Sequence, residues 1–262
     1  MPNLVNPYIL GPIVLPASYG PDLVAHWKED VTVTSSPDVD SWNDETSNNN
    51  DATQGTAAAK PHLVAGDANG FDTLDFDGAD DFLEVSSTLQ STWQTDFMIW
   101  KVIKFADGQP AGSEDYFGMG NASLDDAIVL RLNTDGTLLF FYASDLNDSL
   151  AVTDNVIFSN GDTGYAIILC WADFTNNQLR IFVNSKTEEV LDEANNGSTS
   201  AVTPANYANV FAPYVGARND EDSIVSPSDC LYAELGILSN PTTQRKNEIM
   251  DYLSNRYNIS LT

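Results

Sequence analysis

The stretch "LDFDGADDFLEV", residues 74–85, places two short apolar runs on either side of a glycine, with five acidic side chains among them. Apolar and polar residues alternate in both runs, as they do in strands that bury one face. The pair Asp77-Gly78 at the centre is a strong signal for a tight turn. The stretch therefore predicts two antiparallel strands joined as a hairpin.

The same pattern recurs further along the chain. "DAIVLRLNTDGTLLFFYAS", residues 126–144, predicts a hairpin that turns at Asp135-Gly136. "GYAIILCWADFTNNQLRIFVNSK", residues 164–186, predicts another that turns at Asn176-Asn177. Many short strands joined in this way are typical of a β-sandwich or a β-barrel.

Only the last segment, "NPTTQRKNEIMDYLSNRYNI" at 240–259, changes its period. Asn240 is suited to cap a helix, and Pro241 suits the first helical position. Apolar residues then recur three and four positions apart, which predicts an amphipathic helix docked on the sandwich. They are Ile249, Met250, Leu253 and Tyr257.

The order of these segments resembles the laminin G-like branch of the concanavalin A-like jelly rolls, from about Asp22 to Ile259. Two motifs carry the resemblance: D-G-x-D-D-F-L-x-V at 77–85, and "AELGILSN" at 233–240 leading into "YLSNRY" at 252–257. The resemblance implies an all-β, antiparallel β-sandwich with one C-terminal amphipathic helix. One departure is "IFVNSK", where members of the family usually have a glycine after the asparagine.

The charge of the chain limits its partners. With 11 Lys and Arg against 38 Asp and Glu, the 262 residues carry a net charge of −27. Binding to nucleic acid or to anionic lipid needs clustered cations, so neither is expected. No apolar run is long enough to span a membrane, and we expect no membrane insertion. Such a surface suits divalent cations, a basic protein partner or high salt.

The first 21 residues, "MPNLVNPYILGPIVLPASYGP", carry no basic residue, and prolines interrupt their apolar run. This does not fit a cleavable secretory signal, and proline excludes a helix or a central strand. We therefore predict an extended N-terminal arm over 1–21, followed by one jelly-roll domain over 22–262. The arm residues predicted to anchor a partner are Leu4, Val5, Pro7, Tyr8, Ile9 and Leu10.

Three interpretations compete for the acidic stretch at 74–85. A glycosidase needs two facing carboxylates, and Asp75-x-Asp77-x-x-Asp80 superficially matches the E-x-D-x-x-E pattern of glycosidases in this superfamily. Gly78-Ala79 interrupts that pattern, so we expect no catalytic residue and no enzymatic activity. A well-capped turn is favoured, because Asp side chains accept hydrogen bonds from nearby backbone N–H groups in turns.

Calcium is the third interpretation, since it takes six to eight oxygen ligands that a tight turn can supply. Relatives with this fold often hold calcium at one edge of the sandwich, and the resemblance makes Asp77, Asp80 and Asp81 the first candidates. The loop acids Asp38, Asp40 and Asp44 are further ligand candidates. No cofactor is otherwise required.

Recognition of a sugar needs exposed aromatic rings at a loop rim. Four aromatic residues lie in polar, loop-like sequence and are the candidates: Trp42, Trp93, Tyr116 and Tyr207. The two cysteines, Cys170 and Cys230, lie in apolar runs, and both a disulfide and two buried thiols stay open.

These features together favour a non-enzymatic phage virion accessory protein, because the opening "MPNLVNPY" resembles the starts of tailed-phage structural proteins. On this hypothesis the protein is made in the host bacterial cytoplasm and assembles on a virion in several copies or as a homo-oligomer. Its arm binds a capsid or tail protein, and its lectin-like sandwich faces outward to contact host glycans. The alternative is a secreted or surface carbohydrate-binding module or glycosidase of the concanavalin A-like superfamily.

Overall fold

The computed structural model describes residues 17–120, 124, 126–145 and 147–262. In these residues there are nineteen strands and two α-helices. In chain order they are β1 (Leu23–Trp27), β2 (Val31–Thr32), β3 (Ser41–Trp42), β4 (Ala52–Thr53), β5 (His62–Ala68), β6 (Phe71–Asp77), β7 (Leu83–Val85), α1 (Gln90–Trp93), β8 (Phe97–Phe105), β9 (Glu114–Gly120), β10 (Ala127–Leu132), β11 (Leu138–Ser144), β12 (Asn147–Thr153), β13 (Ala166–Asp173), β14 (Gln178–Val183), β15 (Leu191–Asn196), β16 (Tyr214–Val215), β17 (Arg218–Asp220), β18 (Ser223–Val225), β19 (Asp229–Ser239) and α2 (Thr243–Tyr257).

The strands form two sheets. The seven-stranded sheet has the order β14-β13-β8-β19-β6-β5, and β1 also pairs with β19. The twelve-stranded sheet has the order β15-β12-β11-β10-β9-β16-β7-β4-β3-β2, with β17 paired to β9 and β18 paired to β17. All the pairings are antiparallel except that of β17 with β9, which is parallel.

Alternation along the strands produces two apolar cores. Residues such as Phe76, Ile99 and Phe140 point between the sheets and form the sandwich interior. On the outer face of the seven-stranded sheet, Trp100 and its neighbours pack against α2. The indole of Trp100 lies directly on Gly236, where any Cβ would come within 2.0 Å of it. The predicted fold class, an all-β sandwich with one C-terminal amphipathic helix, is confirmed.

One charged residue lies inside the sandwich. On β8 the side chains of Phe97, Ile99, Ile103 and Phe105 belong to the interior, and Lys101 occupies the same face by alternation. Its side chain is 0% exposed. Its Nζ lies 4.2 Å from the centre of the Tyr116 ring and makes no hydrogen bond to any residue that the structure describes. Burial lowers the pKa of Lys101 to about 8.

The helix α2 begins two residues later than the sequence predicts. Thr242 is the N-cap, and its hydroxyl accepts a hydrogen bond from the Arg245 backbone N–H at 3.2 Å. Asn240 instead takes a left-handed backbone conformation, φ 48°, at the end of β19, so it turns the chain rather than capping the helix. The predicted apolar face is confirmed, because all four of its residues are buried.

A 3₁₀ turn over Ala17–Asp22 packs against α2. Tyr19 is 1% exposed, and its hydroxyl lies 3.2 Å from the Arg245 carbonyl oxygen and 3.1 Å from a Glu248 carboxylate oxygen. The end of the predicted arm is therefore part of the domain. The six predicted anchor residues, between Leu4 and Leu10, lie outside the described residues.

Two of the three predicted hairpins are confirmed, β10 with β11 and β13 with β14. The prediction of a hairpin at 74–85 is wrong. β6 belongs to the seven-stranded sheet and β7 to the twelve-stranded sheet, so the segment between them crosses from one sheet to the other. Asp77-Gly78 turns the chain as predicted, but a local turn signal does not specify which sheet the next strand joins.

The two cysteines are too far apart to form a disulfide. Cys170 pairs with Ile99 of β8, whereas Cys230 pairs with Phe105 of the same strand. Six residues of strand span about 20 Å, and a disulfide needs Cα atoms within about 7 Å. Both are buried free thiols.

Among the described residues, no helix has both the length and the apolar character needed to cross a membrane.

Candidate functional site

The predicted metal ligands meet at the crossing between the sheets, which we call the acidic corner (residues 77–81). Asp77 accepts hydrogen bonds from the backbone N–H groups of Ala79 at 2.8 Å and Asp80 at 3.3 Å. Asp81 accepts one from the backbone N–H of Asp77 at 3.1 Å. These bonds give the corner the capped turn that the sequence favours. Gly78, at φ 72°, allows the turn to lie against Asp229, whose Cβ would be 2.8 Å from an added Cβ.

The same corner has donors of the kind that calcium takes. One carboxylate oxygen from each of Asp77, Asp80 and Asp81 lies within 4.8 Å of the others, and calcium fills the rest of its shell from water and main-chain carbonyls. Burial raises the pKa of Asp81 to about 6, with smaller contributions that include the charges of Asp77 and Asp80. A cation at the corner would relieve this repulsion. Calcium binding stays a prediction.

The loop acids proposed as further ligands have other partners. Asp38 lies 3.3 Å from His62, and Asp40 pairs with Lys60. Asp44 is buried and accepts backbone hydrogen bonds from His26 and Asn50, each at 2.9 Å. Asp38 and Asp40 thus tie the segment between β2 and β3 to the start of β5, whereas Asp44 organises the polar loop between β3 and β4.

The acids of the superficial glycosidase pattern do not share one strand. Asp75 and Asp77 lie on β6, which ends at Asp77, so Asp80 lies beyond the strand in the crossing segment. The alternation that places acids on one strand face therefore stops before the third position of the pattern.

The prediction that four aromatic residues contact a sugar is wrong, because none of their rings is exposed. Trp42, Trp93 and Tyr116 are 0% exposed and Tyr207 is 1% exposed. Their polar sequence neighbours belong to turns, while the rings themselves fill the sandwich interior. Two of them support a surface feature from beneath. The Trp93 indole N–H donates to the Thr88 carbonyl at 2.8 Å, and the Tyr207 carbonyl accepts from Gln90 at 3.1 Å.

That surface feature is an open cleft of about 700 Å³, which we call the hydroxyl cleft. Thirteen residues line it, ten of them with hydroxyl or amide side chains, and none of these described residues carries a charge. Pro21, Val24 and Leu89 supply its apolar surface. The polar residues are Asn48, Asn50, Gln90 and Asn240 with amides, and Ser87, Thr88, Ser91, Thr92, Thr95 and Ser239 with hydroxyls.

The cleft is held in shape by hydrogen bonds that leave much of its polar surface unused. The amide nitrogens of Asn48 and Asn50 each donate to the Val24 carbonyl at 2.9 Å, which leaves their amide oxygens as acceptors. Within the described chain, the hydroxyls of Thr88 and Ser91 bond to no residue. Such groups both donate and accept hydrogen bonds, as the hydroxyls of a sugar do.

A second cleft of about 520 Å³ adjoins the first, and Ser87 and Thr88 line both. We call it the acidic cleft, because Glu84 and Asp222 line it. Burial raises the pKa of Glu84, and the charge of Asp222 adds to the effect. Val210, 72% exposed, contributes an apolar wall.

Sequence reasoning missed both clefts. Their residues come from distant parts of the chain, so no local motif marks them. One signal was available: in the segment 86–95, "SSTLQSTWQT", eight of the ten residues carry a hydroxyl or an amide and none carries a charge, in a chain that has 38 acidic residues.

No family model and no curated protein matches this sequence. Solved structures do match its fold. The sialidase of Trypanosoma rangeli has a TM-score of 0.60 at 14% identity, covering 95% of this chain and 34% of the sialidase. The binding domain of botulinum neurotoxin serotype D has a TM-score of 0.61 at 7% identity, covering 88% of this chain and 50% of the toxin domain.

The NanB sialidase of Streptococcus pneumoniae has a TM-score of 0.53 at 11% identity, covering 66% of this chain and 27% of the enzyme. This chain thus spans between about a quarter and a half of the length of these neighbours. At such low identities the likeness establishes the fold alone: this chain has a β-sandwich of the kind found in sialidases and in a toxin binding domain.

Proposed function

We propose that this chain is a carbohydrate-binding domain, which holds an oligosaccharide in the hydroxyl cleft and does not hydrolyse it. One observation carries the proposal: in a chain of net charge −27, an open cleft of about 700 Å³ is lined by ten hydroxyl and amide side chains and by no charged residue. Uncharged groups that both donate and accept match the hydroxyls of a sugar. The volume lies within the ~300–1,000 Å³ typical of small-molecule sites.

The fold supports the same proposal. The neighbours include sialidases, which act on sugars, and the chain shares their sandwich over 66% to 95% of its length. The cleft is also preorganised, since the Trp93 indole and the Tyr207 carbonyl hold the segment from Thr88 to Gln90. A preformed polar site lowers the entropy lost when a ligand is bound.

Assembly into a phage virion, as a capsid decoration or a tail component, stays a prediction from the sequence, and none of the neighbours described above is a phage protein. Whether the protein is located on a virion or outside the cell is likewise a question that the fold does not test. Quantitative mass spectrometry of purified particles from the source would test the virion hypothesis directly. Absence of the chain from such particles would contradict it.

The binding proposal is tested with the full chain on an array of neutral and acidic oligosaccharides, followed by calorimetry on those that bind. Ser91 is exposed in the hydroxyl cleft, so Ser91→Trp should fill the cleft and weaken binding by at least about tenfold. Ser159→Trp makes the same change at an exposed position outside both clefts and should leave the affinity unchanged.

Two outcomes would contradict the proposal. If no glycan binds, or if Ser91→Trp binds as well as the unaltered chain, the hydroxyl cleft is not a sugar site. Release of reducing ends from a bound glycan would instead make the domain hydrolytic, and Glu84 and Asp222 in the acidic cleft would be the acids to substitute first.

A further inference from the structure

The two clefts form one continuous surface. Ser87 and Thr88 line both, at the point where the hydroxyl cleft passes into the acidic cleft. An oligosaccharide that is longer than the hydroxyl cleft and continues past these two residues therefore enters the acidic cleft. What lines the acidic cleft then decides which sugar residue can follow.

Two carboxylates face that continuation. Glu84 lies on β7, directly between Thr53 of β4 and Tyr214 of β16 in the sheet, and Asp222 lies in the turn between β17 and β18. Burial and then the charge of Asp222 raise the pKa of Glu84, and beyond the effect of burial the charges of Glu84 and Asp222 both raise the pKa of Tyr214, to about 12. The cleft is thus a region of negative potential.

No lysine, arginine or histidine is among the described residues that line either cleft. Proteins that bind a carboxylate or a phosphate commonly use a charge-assisted hydrogen bond from such a residue, most often arginine. The net charge of −27 adds to the unfavourable field around an approaching anion. A sugar that carries a carboxylate would find two like charges and no cation.

We infer that the site selects uncharged glycans and rejects those that extend with a sialic or uronic acid, through repulsion by Glu84 and Asp222. The inference rests on the proposed function, because it takes the hydroxyl cleft as the place where the glycan is held. It assigns these two carboxylates to specificity, as groups that disfavour the wrong ligand.

The test uses matched pairs of glycans on the full chain: each neutral oligosaccharide that binds, and the same oligosaccharide with one added sialic or uronic acid. The acidic member should bind about tenfold or more weakly at low salt. Raising NaCl to about 0.5 M should narrow the difference in affinity between the two glycans, because salt screens interactions between exposed charges. A purely steric rejection would not respond to salt.

The double substitution Glu84→Gln with Asp222→Asn keeps the size of both side chains and removes both charges. It should raise the affinity for the acidic member relative to that of its neutral partner, so that the ratio of the two affinities approaches one. Ser91→Trp should weaken binding of both members, since it fills the hydroxyl cleft itself.

The outcomes separate the inference from the proposed function. Preferential binding of acidic glycans, or a neutral preference that neither salt nor the double substitution reduces, would overturn the inference and leave a carbohydrate-binding domain. Failure of every glycan to bind would overturn both.

Discussion

Replacing Lys101 by methionine should stabilise the protein. The Lys101 side chain is fully buried between the sheets, with no hydrogen-bond partner for Nζ in the described residues. Its pKa falls from 10.5 to about 8 because burial disfavours the ammonium. At about 1.4 kcal/mol for each pH unit, holding the charged form in the core costs about 3 kcal/mol.

Methionine has a similar length, carries no charge and adapts to irregular packing. Part of the gain is offset, because Lys101→Met loses the cation–π contact with Tyr116, worth up to about 2 kcal/mol when desolvated. We expect the free energy of unfolding at pH 7 to rise by about 2 kcal/mol. For a domain of this size, that corresponds to a rise of about 4–8 °C in Tm.

The stability gained by Lys101→Met should decrease as the pH rises. The folded pKa of Lys101 is about 8, below its unfolded value of about 10.4, so the unfolded chain binds more protons between these values. The destabilising contribution of Lys101 is therefore full below pH 8 and fades as the pH rises towards 10. The advantage of Lys101→Met should be largest at pH 7 and smaller at pH 9.5, measured by urea unfolding followed by circular dichroism.

Lys104→Met is the matched control. Lys104 lies on the same strand but faces outward, with Nζ 2.9 Å from an Asp67 carboxylate oxygen and the side chain 25% exposed. Exposed pairs of this kind contribute about 0–1 kcal/mol, so this substitution should change stability little. The reasoning is refuted if Lys101→Met destabilises the protein, or if its effect is the same at pH 7 and pH 9.5.

Two further predictions concern the acidic corner. Gly78 and Gly66 share a positive φ, 72° and 70°, but only Gly78 packs against another residue, Asp229. Gly66→Ala should lower the free energy of unfolding, measured in urea, by about 1–2 kcal/mol through backbone strain alone. Gly78→Ala should lower it by about 1–3 kcal/mol more, because the added methyl group overpacks against Asp229. Equal losses would contradict the close packing at the corner. Calorimetric titration at pH 7.5 should detect calcium, with weaker binding at pH 5, because the pKa of Asp81 is about 6 and a protonated carboxyl is a poor ligand. Unchanged affinity at pH 5, or in Asp81→Asn, would place the metal elsewhere.

Local patterns in the sequence predicted the elements that depend on local chemistry. The turns at Asp135-Gly136 and Asn176-Asn177 close hairpins, because both flanking strands are adjacent in the chain and join the same sheet. The apolar face of α2 also follows from its own spacing. The crossing after Asp77 has the same signals as a hairpin, yet the strands on its two sides join different sheets: β6 pairs with β5 and β19, and β7 pairs with β4 and β16.

The candidate site was harder to predict, because burial of a ring and the lining of a cleft depend on distant segments. Trp93 and Tyr207 stand among polar residues in the sequence but turn inward in the fold. The interior lysine did leave a local signal. Strand alternation in "FMIWKVIKF" puts Lys101 in register with Ile99 and Ile103, on the face that becomes the core.

The position of β19 has a consequence for synthesis of the chain on the ribosome. β19 is made after all the other described strands, yet it lies at the centre of the seven-stranded sheet, between β8 on one edge and β6 and β1 on the other. The twelve-stranded sheet is fully translated by Val225. At that point the strands of the seven-stranded sheet still lack β19, which connects β8, β6 and β1. Pairings of such long sequence separation form slowly, and a half-covered apolar layer favours aggregation. A chain that stops short of residue 239 should therefore be lost to aggregation or proteolysis instead of accumulating as a smaller folded domain.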